Sequence, residues 1–242
     1  MKKNLLIVIL FAFINFIPFN IVLAESANAY TTQSGVTMSK ELYDELCKIY
    51  SKNYVETINQ NEFDIIPTNN LKSIKISEYI EPNINTRSTY FESSAKVIRL
   101  VQNEDYVTLI ASWKGVPNVK KYDVIAIRLH SVSLTGGFTF KQTWYANGKT
   151  NVSYDGYKRI LSNGFGTSFK VQNGSNLEFS LTFQISGNGK IFGSYQHAIK
   201  STTYEESKKY TLSSSGLGDV IKFNTSSIND KYDAMSGVSI SI

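Results

Sequence analysis

The segment LEFSLTFQIS, at residues 177–186, alternates apolar and polar side chains without interruption. Successive side chains of a β-strand point to opposite faces, so this period of two predicts a strand with one buried face and one wet face. Gly187-Asn188-Gly189 predicts a turn, and residues 191–199 are predicted to form a second strand after it. Together, residues 177–199 are predicted to form a hairpin.

Strand-forming residues also fill the segments on either side of this hairpin. Asn147-Gly148 is a strong signal for a second hairpin turn. No helical pattern alternates with the strands, which argues against a parallel α/β sheet. The chain is therefore predicted to be mainly β, as an antiparallel β-sandwich or jelly-roll-like domain with a short N-terminal helical segment. The other predicted strands are residues 95–101, 106–113, 122–130, 138–145, 150–154, 165–171, 208–212, 220–223 and 238–242.

The first 29 residues have the pattern of a secretory signal peptide. Lys2 and Lys3 precede the apolar run LLIVILFAF at residues 5–13, and small residues allow cleavage after Ala24 or Ala29, the latter being preferred. An uncleaved membrane anchor is the alternative. The chain is thus expected to be secreted, either extracellular or loosely associated with the cell envelope.

The remainder divides by charge. Residues 30–92 carry 6 Lys+Arg against 9 Asp+Glu, a net charge of −3, whereas residues 93–242 carry 17 against 10, a net charge of +7. Within the acidic part, Ser39 is predicted to cap a helix whose apolar side chains recur at helical spacing, and a short second helix is predicted at 54–59. After Pro67 the sequence predicts a linker. Residues 30–92 are interpreted as a helical lead-in and linker, with a pro-segment or regulatory flap as the alternative, and residues 93–242 as a basic β-sandwich domain.

Residues suited to catalysis are sparse. The sequence contains no G-x-S-x-G, no H-E-x-x-H and no P-loop motif. Their absence favours a non-enzymatic protein, and no cofactor is expected. An extracellular hydrolase with an unrecognised site stays open, with Asp123 and His197 as the residues to test. Asp230 and Asp233 are weak candidates for calcium ligands. Cys47, the sole cysteine, is predicted to be buried and inert.

Residues suited to binding are more frequent. Trp144, Tyr145, Tyr154 and Tyr157 surround the Asn147-Gly148 turn, and the rings among them that point outward are candidate ligand contacts, while the others are expected to face the core. Three basic doublets suit an anionic cell-wall polymer or glycan, or a membrane surface, and no nucleic-acid-binding motif is present. The doublets are Lys120-Lys121, Lys158-Arg159 and Lys208-Lys209.

Several short motifs carry a resemblance to a known group of proteins. Those motifs are Trp113-x-x-x-Pro117, YDVIAIR at 122–128, NGFG at 163–166, SYQHA at 194–198, GLGDVI at 216–221 and YDAMSGV at 232–238. Together they resemble uncharacterised secreted proteins of Gram-positive bacteria, over about residues 93–242. The resemblance implies export and a shared β domain, and it transfers no functional residue.

Three functional hypotheses follow. The leading one is a non-enzymatic binding module for a cell-envelope or other extracellular ligand. The second is a pore-forming or membrane-active toxin that inserts the 177–199 hairpin, because two alternating strands of about ten residues are long enough to cross a bilayer. The third is the extracellular hydrolase.

Overall fold

The computed structural model describes residues 28–80, 96–214, 220–233 and 237–242. Residues 1–27 of the predicted signal peptide, with the cleavage site after Ala24, lie outside these residues, and Ala29, at the preferred cleavage site, is the first residue of the first strand. The chain is mainly β, with antiparallel sheets and a few short helices, which confirms the predicted fold class. In chain order the elements are β1 Ala29–Thr31, β2 Thr37–Ser39, α1 Lys40–Ile49, α2 Lys52–Thr57, α3 Gln60–Asp64, a 3₁₀ turn at Leu71–Ser73, β3 Lys75–Ile80, β4 Lys96–Asn103, β5 Tyr106–Trp113, β6 Tyr122–His130, β7 Ser133–Ala146, β8 Lys149–Ser153, β9 Tyr157–Leu161, β10 Gly164–Lys170, β11 Ser175–Ser186, β12 Lys190–Gln196, α4 Tyr204–Ser207, β13 Tyr210–Leu212, β14 Ile221–Phe223, α5 Ser226–Asn229 and β15 Val238–Ser241.

Two sheets pack face to face as a sandwich. One has six strands in the order β3-β4-β5-β11-β7-β8, and the other has five in the order β15-β12-β6-β10-β9. The inner faces of both sheets supply one continuous apolar core, as expected for two stacked antiparallel sheets. Its fully buried side chains include Ile98, Leu109, Phe140, Phe179 and Leu181 from the first sheet and Ile125, Ile127, Phe165 and Ile191 from the second.

Strand β11 occupies the position in the six-stranded sheet that its alternation predicts. It lies between β5 and β7, and its apolar side chains face the core. Its polar face, however, is not wet along its whole length. Glu178 and Ser180 are buried, Thr182 and Gln184 are half-buried, and within the alternating segment 177–186 only Ser186, at the far end, is exposed. The expectation of a solvated face was wrong for the first half of the strand because the helices cover it.

The predicted 177–199 hairpin does not form. Strand β12 leaves the six-stranded sheet after Gly187 and pairs with β6 and β15 in the opposite sheet. β12 contributes Ile191 and Tyr195 to the core from the five-stranded sheet, and β11 contributes its apolar side chains from the six-stranded sheet. The two strands therefore face each other across the core instead of pairing. The hairpin on which the pore-forming hypothesis depends is therefore absent from this fold.

The hairpin predicted at Asn147-Gly148 does form, between β7 and β8. Both turn residues have positive φ, 54° and 77°, which is the backbone that Asn-Gly favours in a two-residue turn. The edge strand β9, which follows β8, has no counterpart among the strands predicted from the sequence.

The acidic N-terminal part forms a layer over the outer face of the six-stranded sheet. The Ser39 hydroxyl caps α1 by accepting a hydrogen bond from the Leu42 backbone N–H (3.1 Å), as predicted. Leu46 and Tyr54 pack with Val101 and Ile110 of the sheet in a second apolar cluster. Cys47 is partly rather than fully buried, and that burial raises the pKa of its thiol.

Part of the segment predicted to be a linker is a strand. β3 pairs with β4 at the edge of the six-stranded sheet, with Ile76 opposite Val101. Arg99, on β4, donates from Nη1 to three carbonyls at the C-terminal end of α1. They are those of Lys48 (3.3 Å), Ile49 (3.1 Å) and the capping residue Tyr50 (2.6 Å). A guanidinium at that end stabilises the helix because it faces the negative pole of the helix dipole. The N-terminal layer and the sheet are thus joined by backbone pairing as well as by packing.

The C-terminal elements form a matching layer over the five-stranded sheet. The β13–β14 pair, α4, α5 and the bridge between Ala198 and Tyr232 bury the outer side chains of β6 and β12, among them Val124 and Phe192. Both sheets are therefore covered on both sides over part of their area. Functional surfaces must be sought at the ends and edges of the sandwich.

Candidate functional site

One open cleft brings exposed aromatic rings together at an end of the five-stranded sheet. Tyr122, Tyr154, Tyr157 and Tyr204 line it, and we call it the tyrosine cleft. Its volume is about 410 Å³, within the range of small-molecule sites. The other lining residues are Asp155, Gly156, Ser168, Phe169 and Lys170.

Antiparallel pairing places two of the four rings, and a short connection places a third. Tyr122 begins β6 and lies opposite Lys170 at the end of β10, so both are at one end of the sheet. Tyr157 begins β9 opposite Ser168 of the same β10. Tyr154 lies in the short connection between β8 and β9, at the edge where the two sheets meet. Burial raises the pKa of Tyr154, and a hydrogen bond with the Asn59 side chain of the helical layer partly offsets this rise.

The fourth ring, Tyr204, is carried by α4, a single helical turn that is held by several polar contacts. Thr203 and Glu206 form a reciprocal capping box, and Lys231 Nζ lies 2.6 Å from Glu206 Oε1. The bond from Lys231 is the main cause that lowers the pKa of Glu206, and the Thr203 backbone bond adds to it. The Thr202 hydroxyl accepts a hydrogen bond from the Tyr122 N–H (3.2 Å), which ties α4 to β6. This wall of the cleft is therefore preorganised.

The rings are arranged in contact with one another and with a lysine. The ring centroids of Tyr122 and Tyr204 are 5.5 Å apart, and those of Tyr157 and Tyr204 are 6.3 Å apart with the rings nearly perpendicular. Lys208 Nζ lies 4.3 Å from the Tyr204 centroid and 5.0 Å from that of Tyr157. It also pairs with the exposed carboxylate of Glu205 at 2.5 Å. The cation fixes two rings without closing the cleft.

Polar groups complete the cleft. The Ser153 hydroxyl bonds the Asp155 carboxylate at 2.9 Å and accepts a bond from the Asp155 N–H at 3.0 Å, so this acceptor is held in place. Tyrosine hydroxyls and the Lys170 ammonium add donors along the same wall. Aromatic faces beside a few placed polar groups are the composition of a site that stacks a ring and hydrogen-bonds its substituents.

The four aromatic residues singled out in the sequence separate into two pairs. Tyr154 and Tyr157 line the cleft. Trp144 packs against the sandwich core, and Tyr145 is exposed but lies outside the cleft lining. Neighbours on one strand must point to opposite faces, so Trp144 and Tyr145 do not share a surface.

The candidate calcium ligands are also far from equivalent. Asp230 is exposed at the end of α5, whereas Asp233 is buried. The Asp233 carboxylate pairs with the Lys96 ammonium and accepts a hydrogen bond from the backbone N–H of His197 (2.8 Å). Across the described ranges, no group of three or more His, Cys, Asp or Glu side chains is placed to hold a metal ion.

Asp123 and His197, the residues considered for hydrolysis, form a buried pair. His197 Nδ1 lies 2.8 Å from Asp123 Oδ2, and the same carboxylate accepts bonds from the Tyr195 hydroxyl and the Ala198 N–H. The Trp113 indole N–H donates to the Tyr195 hydroxyl (3.0 Å), and burial raises the pKa of that tyrosine. Both side chains of the pair are enclosed, and their partners are those of a satisfied structural network.

None of the helices in the described part of the chain is long and apolar enough to cross a membrane. No protein-family model matches the sequence, and no curated protein matches it.

Two solved structures show similarity to parts of the chain. One is the KRT10-binding region domain of the pneumococcal serine rich repeat protein PsrP, with 13% identity, 51% of this chain and 86% of that chain covered, and a TM-score of 0.33. The other comes from work on the pH-induced modulation of Streptococcus parasanguinis adhesion by Fap1 fimbriae, with 13% identity, 69% and 89% covered, and a TM-score of 0.31. Superposition at this level does not define a shared fold, so the function proposed below depends on the cleft alone.

Proposed function

We propose that this protein is an exported, non-enzymatic binding module whose tyrosine cleft holds a saccharide of the cell envelope or of another extracellular surface. The observation that carries the proposal is the convergence of four tyrosines, from three separate segments of the chain, on one open cleft. Three of them keep a large exposed fraction, which is 49% for Tyr154, 39% for Tyr157 and 41% for Tyr204. Large rings left in water and held rigidly at one place favour a ligand that covers them.

The cleft favours a sugar over a purely apolar ligand. A sugar ring has an apolar face that stacks on tyrosine and hydroxyl groups that need donors and acceptors. The Asp155 carboxylate, the Lys170 ammonium and the tyrosine hydroxyls provide both within the same lining. The absence of a recognised catalytic motif from the sequence agrees with binding rather than turnover.

Mutation of the cleft tests this function, with a matched control. We expect Tyr204→Ala and Tyr157→Ala to weaken binding to glycans identified on a microarray by about fivefold or more, since one stacked ring is worth roughly 1 kcal/mol. Tyr145→Ala is the control, because Tyr145 is 43% exposed but lies outside the cleft. Titration calorimetry measures each affinity. Equal losses in all three variants, or none in Tyr204→Ala, would show that the cleft is not the binding site.

Export is a separate part of the proposal and has its own measurement. The protein recovered from the culture medium is expected to begin at Tyr30, after cleavage at Ala29, or at Glu25, after cleavage at Ala24. Intact-mass spectrometry distinguishes the two. A cell-bound protein that still begins at Met1 would support the uncleaved anchor instead.

A further inference from the structure

Two of the three basic doublets of the sequence place a cation beside the tyrosine cleft. Arg159 lies two residues after Tyr157 on β9, so both side chains leave the same face of the sheet, whereas Lys158 between them faces the other way, over the Phe138 ring. Lys208 contacts the Tyr157 and Tyr204 rings themselves. The fold therefore brings Arg159 and Lys208, which are 49 residues apart in the sequence, to one side of the cleft.

Of these two charges, that of Arg159 is not neutralised by a carboxylate among the described residues. Arg159 donates to the carbonyls of Lys208 and Tyr210. A carbonyl satisfies the donor but leaves the net charge in place. Lys208 is the exception, since Glu205 pairs with it.

Lys170 adds a cation inside the cleft. It is exposed, it lines the cleft, and its position opposite Tyr122 in the β6–β10 register sets it at the base of the ring cluster. Among the described residues, no carboxylate lies within ion-pair distance of its ammonium group. Asp155 is the acidic residue of the lining. Arg159, Lys170 and Lys208 against Asp155 and Glu205 leave the cleft and its border with a net positive charge.

On the basis of the proposed saccharide binding, we infer that the ligand is an acidic saccharide, whose sugar ring stacks on the tyrosines while its negative group binds Lys170. Each part of such a ligand matches one feature of the cleft. The tyrosine rings can stack on the apolar face of a sugar, which a free anion lacks. The net positive charge attracts a negative group, which a neutral sugar lacks. Carboxylate and phosphate substituents share this chemistry, and the surrounding lysines draw either one toward the cleft through long-range attraction.

The experiment uses the full mature protein and a set of acidic saccharides that bear uronate, sialate or phosphate groups. Each is paired with a neutral counterpart of the same linkage, in which the carboxyl group is reduced or the phosphate removed. Affinities are measured for wild type, Lys170→Gln, Tyr204→Ala and the control Lys190→Gln. Lys190 is exposed and pairs with His130 at the other end of β6, roughly 26 Å from Tyr122 at 3.3 Å per residue.

At least one acidic saccharide is expected to bind about tenfold more tightly than its neutral counterpart, as for one charge-assisted hydrogen bond. Lys170→Gln should remove most of that preference, because it should weaken binding of the acidic partner far more than binding of the neutral one. Lys190→Gln should behave as wild type, and Tyr204→Ala should weaken both. High salt should reduce the preference by screening. Whether uronates or phosphates show it identifies the acidic group.

The failures are distinguishable. Equal binding of the acidic and neutral partners, weakened by Tyr204→Ala, would overturn the acidic assignment and leave the saccharide function in place. A charge preference that Lys190→Gln reduces as much as Lys170→Gln would also overturn it, because the effect would then belong to the net charge of the chain. Binding of no saccharide in the set would overturn both the inference and the proposed function.

Discussion

Glu178 makes the stability of this fold depend on pH in a direction opposite to that of most carboxylates. It lies on β11 beneath the helical layer, where its side chain is 3% exposed and accepts a hydrogen bond from the Ser51 hydroxyl (2.6 Å). Burial raises the pKa of Glu178 to about 7, although the Ser51 bond and the positive charges of Lys141 and Arg99 oppose this. The perturbation that isolates the effect is Glu178→Gln, which keeps the shape and removes the charge.

The sign follows from proton linkage. A carboxyl whose pKa is higher in the folded than in the unfolded protein binds its proton more tightly when folded, so the free energy of unfolding falls as the pH rises through the interval between the two values. From 4.5 to about 7, at 1.36 kcal/mol per pH unit, the Glu178 contribution amounts to roughly 3 kcal/mol. Below that interval the acid is neutral in both states, and above it the full penalty applies.

Urea unfolding at a series of pH values measures this contribution. The free energy of unfolding of Glu178→Gln, minus that of wild type, should rise from near zero at about pH 4.5 to roughly 3 kcal/mol at about pH 8. Neighbouring groups, chiefly Lys141, whose pKa is lowered by burial against the opposing charge of Glu62, titrate in both proteins, so the difference removes most of their effect. Glu104→Gln, at an exposed turn between β4 and β5, is the control. A difference that stays flat with pH would refute the reasoning.

Three further substitutions test the packing and polar contacts of the fold. Asp233→Asn removes the carboxylate that pairs with the Lys96 ammonium in the interior, and it should lower the free energy of unfolding by about 3 kcal/mol, measured by urea unfolding; a loss within error would show that this pair contributes little. Gly193→Ala places a Cβ 2.6 Å from Leu109 Cδ1 between the sheets, so it should destabilise by about 2 kcal/mol and lower the thermal midpoint, unless Leu109 changes rotamer at no cost. Ser39→Ala removes the α1 cap and should lower stability by about 1 kcal/mol, whereas Ser39→Asp, which retains a capping oxygen, should remain near wild type in the same melts.

The elements whose signals are local were predictable. The Ser39 cap, the Asn147-Gly148 turn and the alternation at residues 177–186 each depend on the backbone preferences of a few neighbouring residues, and each is present in the structure. β3 and β9 were not predicted, because both are edge strands, β3 within a polar stretch and β9 between two turns. Their pairing with β4 and β10 makes them strands.

The candidate site was half predictable. Tyr154 and Tyr157 are neighbours in the sequence and belong to the four aromatic residues named beside the Asn147-Gly148 turn, although the pattern did not tell which of the four face outward. Tyr122 and Tyr204 were not, because the docking of α4 on β6 that joins them spans 82 residues and leaves no local pattern. The basic doublets were visible, but the position of Arg159 and Lys208 beside one cleft was not.

What the sequence determined by itself is the type of most elements and the composition of the core, because strand alternation, turn residues and helix caps act through neighbours along the chain. The tertiary structure alone decided which elements pair and which faces are covered. β11 and β12 follow one another in the chain but belong to opposite sheets, and Glu178 and Ser180 lie on a polar face that the helices bury. Burial and the meeting of side chains depend on what packs against a surface, and that is a property of the whole fold rather than of any segment.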